Sequence, residues 1–226
     1  MKTVYICGDS FGTSDPDYPN MSWSDKLIEL IDYKFKVVNL SMVAASNLLI
    51  SLQADRAIKN NASYIICMGT ASTRIEIKID DLDDDLLSRF FSFSSANPYS
   101  LMSCSFLTIE NYPLTKDDKK LILDYQKRFF DIDLSIYENK CIIENTLQKL
   151  VDSEIPFIFD QGGFEHPMYG GGTKIYFEKY QNNISDINAW DYVKTREFRP
   201  YFHITDESVN NSIANYYYDK IVSAIG

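Results

Sequence analysis

Thr3-Val4-Tyr5-Ile6-Cys7-Gly8-Asp9-Ser10-Phe11-Gly12, close to the N-terminus, is an apolar run that ends abruptly at a glycine, an acid and a hydroxyl. A short apolar run rich in β-branched and aromatic residues is typical of a buried strand, and glycine lets the chain turn sharply where the strand ends. We therefore predict a strand near 3–8, followed by a tight turn that leaves Ser10 exposed at the edge of a sheet.

A serine hydroxyl is a weak nucleophile until a neighbouring base takes its proton. The chain contains only two histidines that could serve as that base, His166 and His203. His203 precedes the last helical pattern of the sequence. His166 stands before Pro167, near several glycines, where a structural or substrate-lining role is the simpler interpretation. The pairing of Ser10 with His203 is therefore the favoured prediction.

Strand-like and helix-like patterns alternate through the first seventy residues, which predicts βαβ units and an α/β fold with a central parallel sheet and helices on both faces. In such sheets ligands bind beyond the carboxyl ends of the strands, so the loops that contain Ser10, Ala44 and Gly69 should meet at one crevice. The predicted strands are 3–8, 36–40, 63–68 and 156–160, and the predicted helices are 22–33, 46–59, 116–130, 134–152 and 206–225.

The chain has 226 residues, 45% of them hydrophobic, which suits a single domain over 1–226 with one core. The pattern dissolves over about 80–115, which predicts an insertion that covers the crevice as a lid. Thr115 is the expected N-cap of the helix that follows, and Thr205 that of the last helix, since hydroxyl side chains cap the first free N–H groups of helices.

The net charge of −10 argues against partners that are themselves anionic, so neither nucleic acid nor a membrane surface is expected. No signal-peptide pattern follows Met1, and no apolar run is long enough to span a bilayer. The four cysteines lack paired spacing, and Cys7 and Cys67 lie within apolar runs, where a thiol behaves as a small hydrophobe. A cytoplasmic location is therefore expected.

Four blocks of the sequence, taken in order, resemble those of the SGNH, or GDSL-type, hydrolases. The first is Gly8-Asp9-Ser10, and the second is the strand, asparagine and small-residue loop of 37–47, with Asn39 and Ala44. The third is visible in outline as Gly69-Thr70 followed by Ser72, Arg74 and Glu76. The last is the loop with His203 that opens the terminal helix. The form with Arg74 and Glu76 is most similar to phage-encoded members.

The resemblance implies a flavodoxin-like, three-layer α/β/α fold in which Ser10 is the nucleophile, His203 is the base and the loops supply the oxyanion donors. Ala44 stands at the family's oxyanion glycine, and its backbone N–H can still donate. Thr70 or Ser72 would replace the family's oxyanion asparagine. Arg74 either forms a charged pair with Glu76 on one strand face or holds a substrate anion.

This sequence departs from the family at the acid that orients the histidine, because Pro200 stands at that position. Asp191 or Glu197 could reach His203 from the preceding segment, or His203 could act in a dyad with Ser10. Loss of the acid's role in a related triad lowers the rate by about 10⁴.

The leading prediction is an esterase that removes small, acetyl-like O-acyl groups from a small molecule or carbohydrate and that requires no metal and no organic cofactor. A transferase would use the same site with a different acceptor. The alternative is a catalytically degenerate binding or structural module that acts through a protein partner, for example a phage protein in host cytoplasm or virion.

Overall fold

The computed structural model describes residues 1–14, 18–31, 33–78, 101–105, 114–164, 177–192 and 204–226, and only the backbone of 77–78 and 101–105. Predictions that fall on His166, Glu197, Pro200 and His203 lie outside these residues, as does most of the proposed insertion at 80–115. The described strands are β1 (Thr3–Cys7), β2 (Lys36–Asn39), β3 (Tyr64–Met68), β4 (Arg74–Lys78), β5 (Leu101–Ser105) and β6 (Phe157–Asp160). The described α-helices are α1 (Trp23–Ile31), α2 (Asn47–Lys59), α3 (Lys116–Phe129), α4 (Ile132–Asp152) and α5 (Glu207–Ile225).

Four of the strands form a parallel sheet in the order β2-β1-β3-β6. The register places Val4 opposite both Val37 of β2 and Tyr64 of β3, and Ile65 opposite Phe157 of β6. The four strands predicted from the sequence are thus confirmed as neighbours in one sheet. Their carboxyl ends lie along the same edge of the sheet, where the loops that follow β1, β2 and β3 begin.

Helices cover both faces of the sheet, because successive side chains of a strand point to opposite sides. Tyr5 and Cys7 of β1 belong to the apolar cluster that contains residues of α2 and α4. Val4 and Ile6 belong to the cluster on the other face, which contains residues of α1 and α5. The three-layer α/β/α architecture expected from the alternating pattern is therefore confirmed.

The backbone of β5 pairs with β4 as an antiparallel two-stranded sheet, separate from the parallel one. No strand was predicted at 101–105, because these residues show neither strict alternation nor a long apolar run. A segment within the proposed insertion thus forms regular structure, while the division of the chain into one domain with an insertion stays a prediction.

One of the two predicted helix caps agrees with the structure, and the other is corrected by it. Thr115 caps α3, with its side chain accepting a hydrogen bond from the N–H of Asp118, as predicted. The cap of α5 is Asp206 and not Thr205, since its carboxylate accepts from the N–H groups of Ser208 and Val209. A carboxylate satisfies two free donors and also suits the positive end of the helix dipole.

Burial explains the thiols of Cys7 and Cys67, which are both free and fully buried. Removal from water raises the pKa of Cys67 to about 12 and the pKa of Cys7 well above its ordinary value. Both side chains therefore stay protonated and pack as small hydrophobes, as the sequence indicated. None of the helices in the described ranges has the length and apolar character that crossing a bilayer requires.

Candidate active site

Ser10 lies in a tight turn directly after β1, as the sequence predicted. The N–H of Gly12 donates to the carbonyl of Asp9 across 3.0 Å, so Ser10 and Phe11 occupy the middle of the turn. The prediction that Ser10 is exposed was wrong, because the side chain retains only 6% exposure. The turn folds back toward α1, where the indole N–H of Trp23 donates to the carbonyl of Phe11 at 2.6 Å.

Asp9 is the buried anchor of this turn. Its carboxylate accepts a hydrogen bond from the N–H of Phe11 at 3.0 Å and from the hydroxyl of Thr70 at 2.7 Å. Its other partner is the guanidinium of Arg74, with Nη2 3.0 Å from Oδ2. Asp9 is fully buried, so loss of its cationic partner would leave an uncompensated charge, which typically costs about 3–5 kcal/mol.

Arg74 has protein partners for both of its terminal nitrogens. Nη2 forms an ion pair with the carboxylate of Asp9, and Nη1 donates a hydrogen bond to the backbone carbonyl of Ala45. The side chain is 9% exposed. The pairing with Glu76 that the sequence suggested is replaced by this pair with Asp9, and binding of a substrate anion by Arg74 stays a prediction.

The loop after β2 packs directly on the Ser10 turn. The N–H of Met42 donates to the carbonyl of Gly8 at 3.1 Å, and the amide of Asn39 donates to the carbonyl of Gly12 at 2.6 Å. Within this loop, Ala44 has a φ of 60°, a conformation that favours glycine and costs another residue about 1–2 kcal/mol. The chain thus keeps a glycine-like backbone where the sequence comparison placed the oxyanion glycine.

The loop after β3 completes the site. The hydroxyl of Thr70 donates a hydrogen bond to Asp9, and the backbone N–H of Thr70 donates to Oδ1 of Asn47 at 2.9 Å. Ser72 is fully buried, and its Oγ has no hydrogen-bond partner among the described residues. Thr70 and Ser72 are the two candidates to replace the family's oxyanion asparagine. The Thr70 hydroxyl already donates to Asp9, whereas the Ser72 hydroxyl donates to none of the described residues.

Two buried amides that support these loops were not singled out from the sequence. Gln53 of α2 is hydrogen-bonded to both the N–H and the carbonyl of Gly8, at 2.7 and 3.2 Å. Asn47 also donates to Asn139 of α4 at 2.8 Å. Gln53 shares a helical face with the buried Leu49 and Ala57, and a polar side chain on an apolar face was the signal that could have identified it.

Ile204, the described residue that follows the predicted base, lies on the same side of the sheet as Phe11. Ile204 follows His203 in the sequence and belongs to the same apolar cluster as Phe11, the residue after Ser10. The carbonyl of Ile204 accepts from the amide of Asn210 in α5 at 2.7 Å. Asp191, the candidate orienting acid within the described residues, lies exposed at the end of a short 3₁₀ helix, Ala189–Tyr192.

A further carboxylate, missed by the sequence analysis, lies at the end of β6. Asp160 is fully buried and accepts hydrogen bonds from the N–H groups of Gly162 and Ala189 and from the hydroxyl of Tyr217. Burial raises the pKa of Asp160 to about 6, against the lowering effect of these three donors. No group of His, Cys, Asp and Glu side chains in the described part of the chain is arranged to hold a metal ion.

Comparison with solved structures supports the fold independently of the sequence blocks. The chain is similar to a protein from Desulfitobacterium hafniense DCB-2 that is described as lipolytic and of the G-D-S-L family, with a TM-score of 0.51, 11% identity, and coverage of 97% of this chain and 99% of that one. It is also similar to the psychrotrophic esterase EstA from Pseudoalteromonas sp., with a TM-score of 0.49, 10% identity, and coverage of 99% and 98%.

No protein-family model and no curated protein matches the sequence. The likeness to the Desulfitobacterium protein extends over nearly the whole of both chains, and the parallel sheet, the helices on both faces and the turn after β1 agree with the architecture that the four sequence blocks imply. The chain therefore has the fold of the SGNH, or GDSL-type, hydrolases.

Proposed function

We propose that this chain is a serine esterase that hydrolyses small O-acyl esters, with Ser10 as nucleophile and His203 as general base. The observation that carries the proposal is the contact between the Ser10 turn and the loop that holds Ala44 in a glycine-like conformation. A nucleophile and an oxyanion donor have to lie side by side for acyl transfer, and these two loops are hydrogen-bonded to each other.

In the first half of the reaction, Oγ of Ser10 bonds to the ester carbonyl carbon while its proton passes to His203. The carbonyl oxygen becomes an oxyanion, which accepts hydrogen bonds from the backbone N–H groups of Ser10 and Ala44. His203 then returns the proton to the departing alcohol, leaving an acyl-enzyme. Water then bonds to the acyl carbon while His203 takes its proton, and His203 returns that proton to Oγ of Ser10 as the ester bond to Ser10 breaks and the acid leaves.

The Ser72 hydroxyl is the preferred third donor to the oxyanion, because the Thr70 hydroxyl donates to Asp9 instead. Loss of one such donor in a hydrolase lowers kcat by about 10²–10³, so a serine in place of the family's asparagine has a measurable role. Asp191 and Glu197 remain the candidates to orient His203, together with a dyad that needs no acid.

The description of the Desulfitobacterium protein as lipolytic supports ester chemistry at a site on the same fold. We infer a small acyl group, acetyl-like, on a carbohydrate or other small alcohol, as the sequence resemblance implies. The net charge of −10 favours a neutral substrate over an anionic one.

The test is hydrolysis of p-nitrophenyl acetate together with labelling by a fluorophosphonate probe. Ser10→Ala should abolish both, while Ser212→Ala, which removes an exposed hydroxyl of α5, should leave both intact. The two histidines form a second matched pair, since His203→Gln should suppress labelling and His166→Gln should not. Labelling that survives Ser10→Ala would remove Ser10 from the mechanism.

A wild-type protein that is folded and yet inert toward both reagents would favour the alternative, a binding or structural module. Pro200 in place of the family's acid is the observation behind that alternative. Copurification of the inert protein with one specific protein would then support it.

A further inference from the structure

We propose that Arg74 is a positioning residue that holds the Ala44 loop against the Ser10 turn. The inference rests on the proposed function for its catalytic consequence, although the structural link itself does not require activity. Arg74 does not touch the reacting atoms in this proposal and acts through the two loops it joins.

The guanidinium contacts one acceptor on each loop. Nη2 lies 3.0 Å from the carboxylate of Asp9, the residue before Ser10, and Nη1 donates to the carbonyl of Ala45, the residue after Ala44. Asp9 in turn accepts from the N–H of Phe11, so the ion pair reaches both sides of Ser10. One side chain thus connects the backbone around the nucleophile with the backbone around the oxyanion donor.

Ala44 requires such support because its φ of 60° is unfavourable for a residue with a Cβ. The conformation is the third position of a turn closed by the N–H of Ala45 and the carbonyl of Met42, 3.1 Å apart. A strained conformation persists only where its surroundings hold it in place. The hydrogen bond from Arg74 to the Ala45 carbonyl acts directly on this turn.

Arginine suits this position better than lysine does. The planar fork presents two donors in fixed directions, whereas an ammonium group is a single centre that would have to choose between the carboxylate and the carbonyl. Arg74→Lys therefore keeps the positive charge beside Asp9 and weakens the hydrogen bond to the carbonyl of Ala45. A role limited to neutralising Asp9 predicts that lysine replaces arginine without loss.

The experiment combines residue-by-residue amide hydrogen exchange with steady-state kinetics on wild type, Arg74→Lys and the double variant Asp9→Asn/Arg74→Met. The double variant removes both charges together, so the charge-burial penalty of a single Arg74→Met change is avoided. The matched control is Lys149→Met, which breaks the more exposed ion pair with Asp55 between α4 and α2.

We expect exchange of the Ala45 N–H to be at least about tenfold faster in both Arg74 variants, with the Ile65 N–H in the core unchanged. We expect kcat to fall by roughly 10–100-fold with KM within about threefold, because a misplaced oxyanion donor weakens the transition state more than substrate binding. Lys149→Met should alter neither measurement.

Unchanged exchange at Ala45 overturns the proposal, as does acceleration that extends equally to Ile65, which would mean a general loss of stability. Faster exchange at Ala45 with an unchanged kcat overturns the catalytic part. If wild type lacks esterase activity and fluorophosphonate labelling, the proposed function fails, and the exchange data alone still decide whether Arg74 holds the loop.

Discussion

The carboxylate of Asp160, where β6 ends, accepts a hydrogen bond from the hydroxyl of Tyr217 in α5 at 3.1 Å. Both side chains are fully buried, and the same carboxylate also binds the N–H groups of Gly162 and Ala189. One acid thereby joins the end of the sheet, the loop after it, the 3₁₀ helix over Ala189–Tyr192 and the terminal helix. Because ionisation inside the protein is opposed by burial, we expect the stability of this junction to depend on pH.

The contribution of Asp160 to stability should decrease as pH rises. Its folded-state pKa is raised from 3.8 to about 6, so the proton is bound more tightly in the folded chain than in the unfolded one. The stabilisation is fully present below about pH 4 and is lost as pH rises through about 6. A difference of about two units corresponds to about 3 kcal/mol. Urea unfolding of wild type and Asp160→Asn between pH 4 and 8 measures it.

The free energy of unfolding of wild type, taken relative to Asp160→Asn, should fall by about 3 kcal/mol across that range, since asparagine does not titrate. Asp186→Asn is the control, because Lys220 lowers the pKa of this exposed carboxyl. Its contribution has the opposite sign and is lost as pH falls. A wild-type minus Asp160→Asn difference that is flat from pH 4 to 8 would show that Asp160 has an ordinary pKa.

The parallel sheet could be predicted because its strands are apolar on both faces and are separated by periodic helical segments. Val4, Ile6, Tyr5 and Cys7 all lie in apolar clusters, and a continuous apolar run is the sequence form of such a strand. The pair β4 and β5 could not be predicted in this way. Its pairing joins segments more than twenty residues apart, and Arg74 and Glu76 alternate with isoleucines without indicating a partner.

Within the described part of the candidate site, the sequence indicated where the turn with Ser10 and the loop with Ala44 lie, but not which side chains hold them together. Ser10 and Ala44 follow from the turn signal and the family blocks, because local backbone geometry is encoded by nearby residues. The partnership of Asp9 with Arg74 depends on tertiary packing between residues 65 positions apart, and spacing carries no information about it. The cap of α5 was missed by one residue for a local reason, since Thr205 and Asp206 are both favourable cap residues and the backbone of the last helix begins after Asp206.

Gln53 should be necessary for stability although it is more than forty positions from Ser10 in the sequence. Its amide is the hydrogen-bond partner of the Gly8 N–H and of the Gly8 carbonyl, and it is 1% exposed. Gln53→Met preserves the volume and removes the partner of the buried Gly8 N–H, whereas the Gly8 carbonyl keeps the N–H of Met42 as its donor. We expect the free energy of unfolding to fall by about 1–3 kcal/mol, the usual cost of one buried group left unsatisfied.

Gln181→Met provides the matched control, because the side chain of Gln181 is exposed. Its effect should stay within about 0.5 kcal/mol, as is usual for surface substitutions. Equal losses for the two variants in urea unfolding would show that the Gly8 contacts of Gln53 contribute nothing particular.

Gly12 should tolerate no side chain, because the Ser10 turn and the loop after β2 are in close contact at this point. A Cβ on Gly12 would lie 2.4 Å from Oγ and 3.0 Å from Cβ of Ser41. We expect Gly12→Ala to lower the free energy of unfolding by about 1–3 kcal/mol, the usual cost of overpacking, and to slow labelling of Ser10 by fluorophosphonate. Ser41→Gly removes both contacting atoms, so the double variant should recover much of both losses. Strictly additive costs in a double-mutant cycle would mean that the two loops do not meet at Gly12 and Ser41.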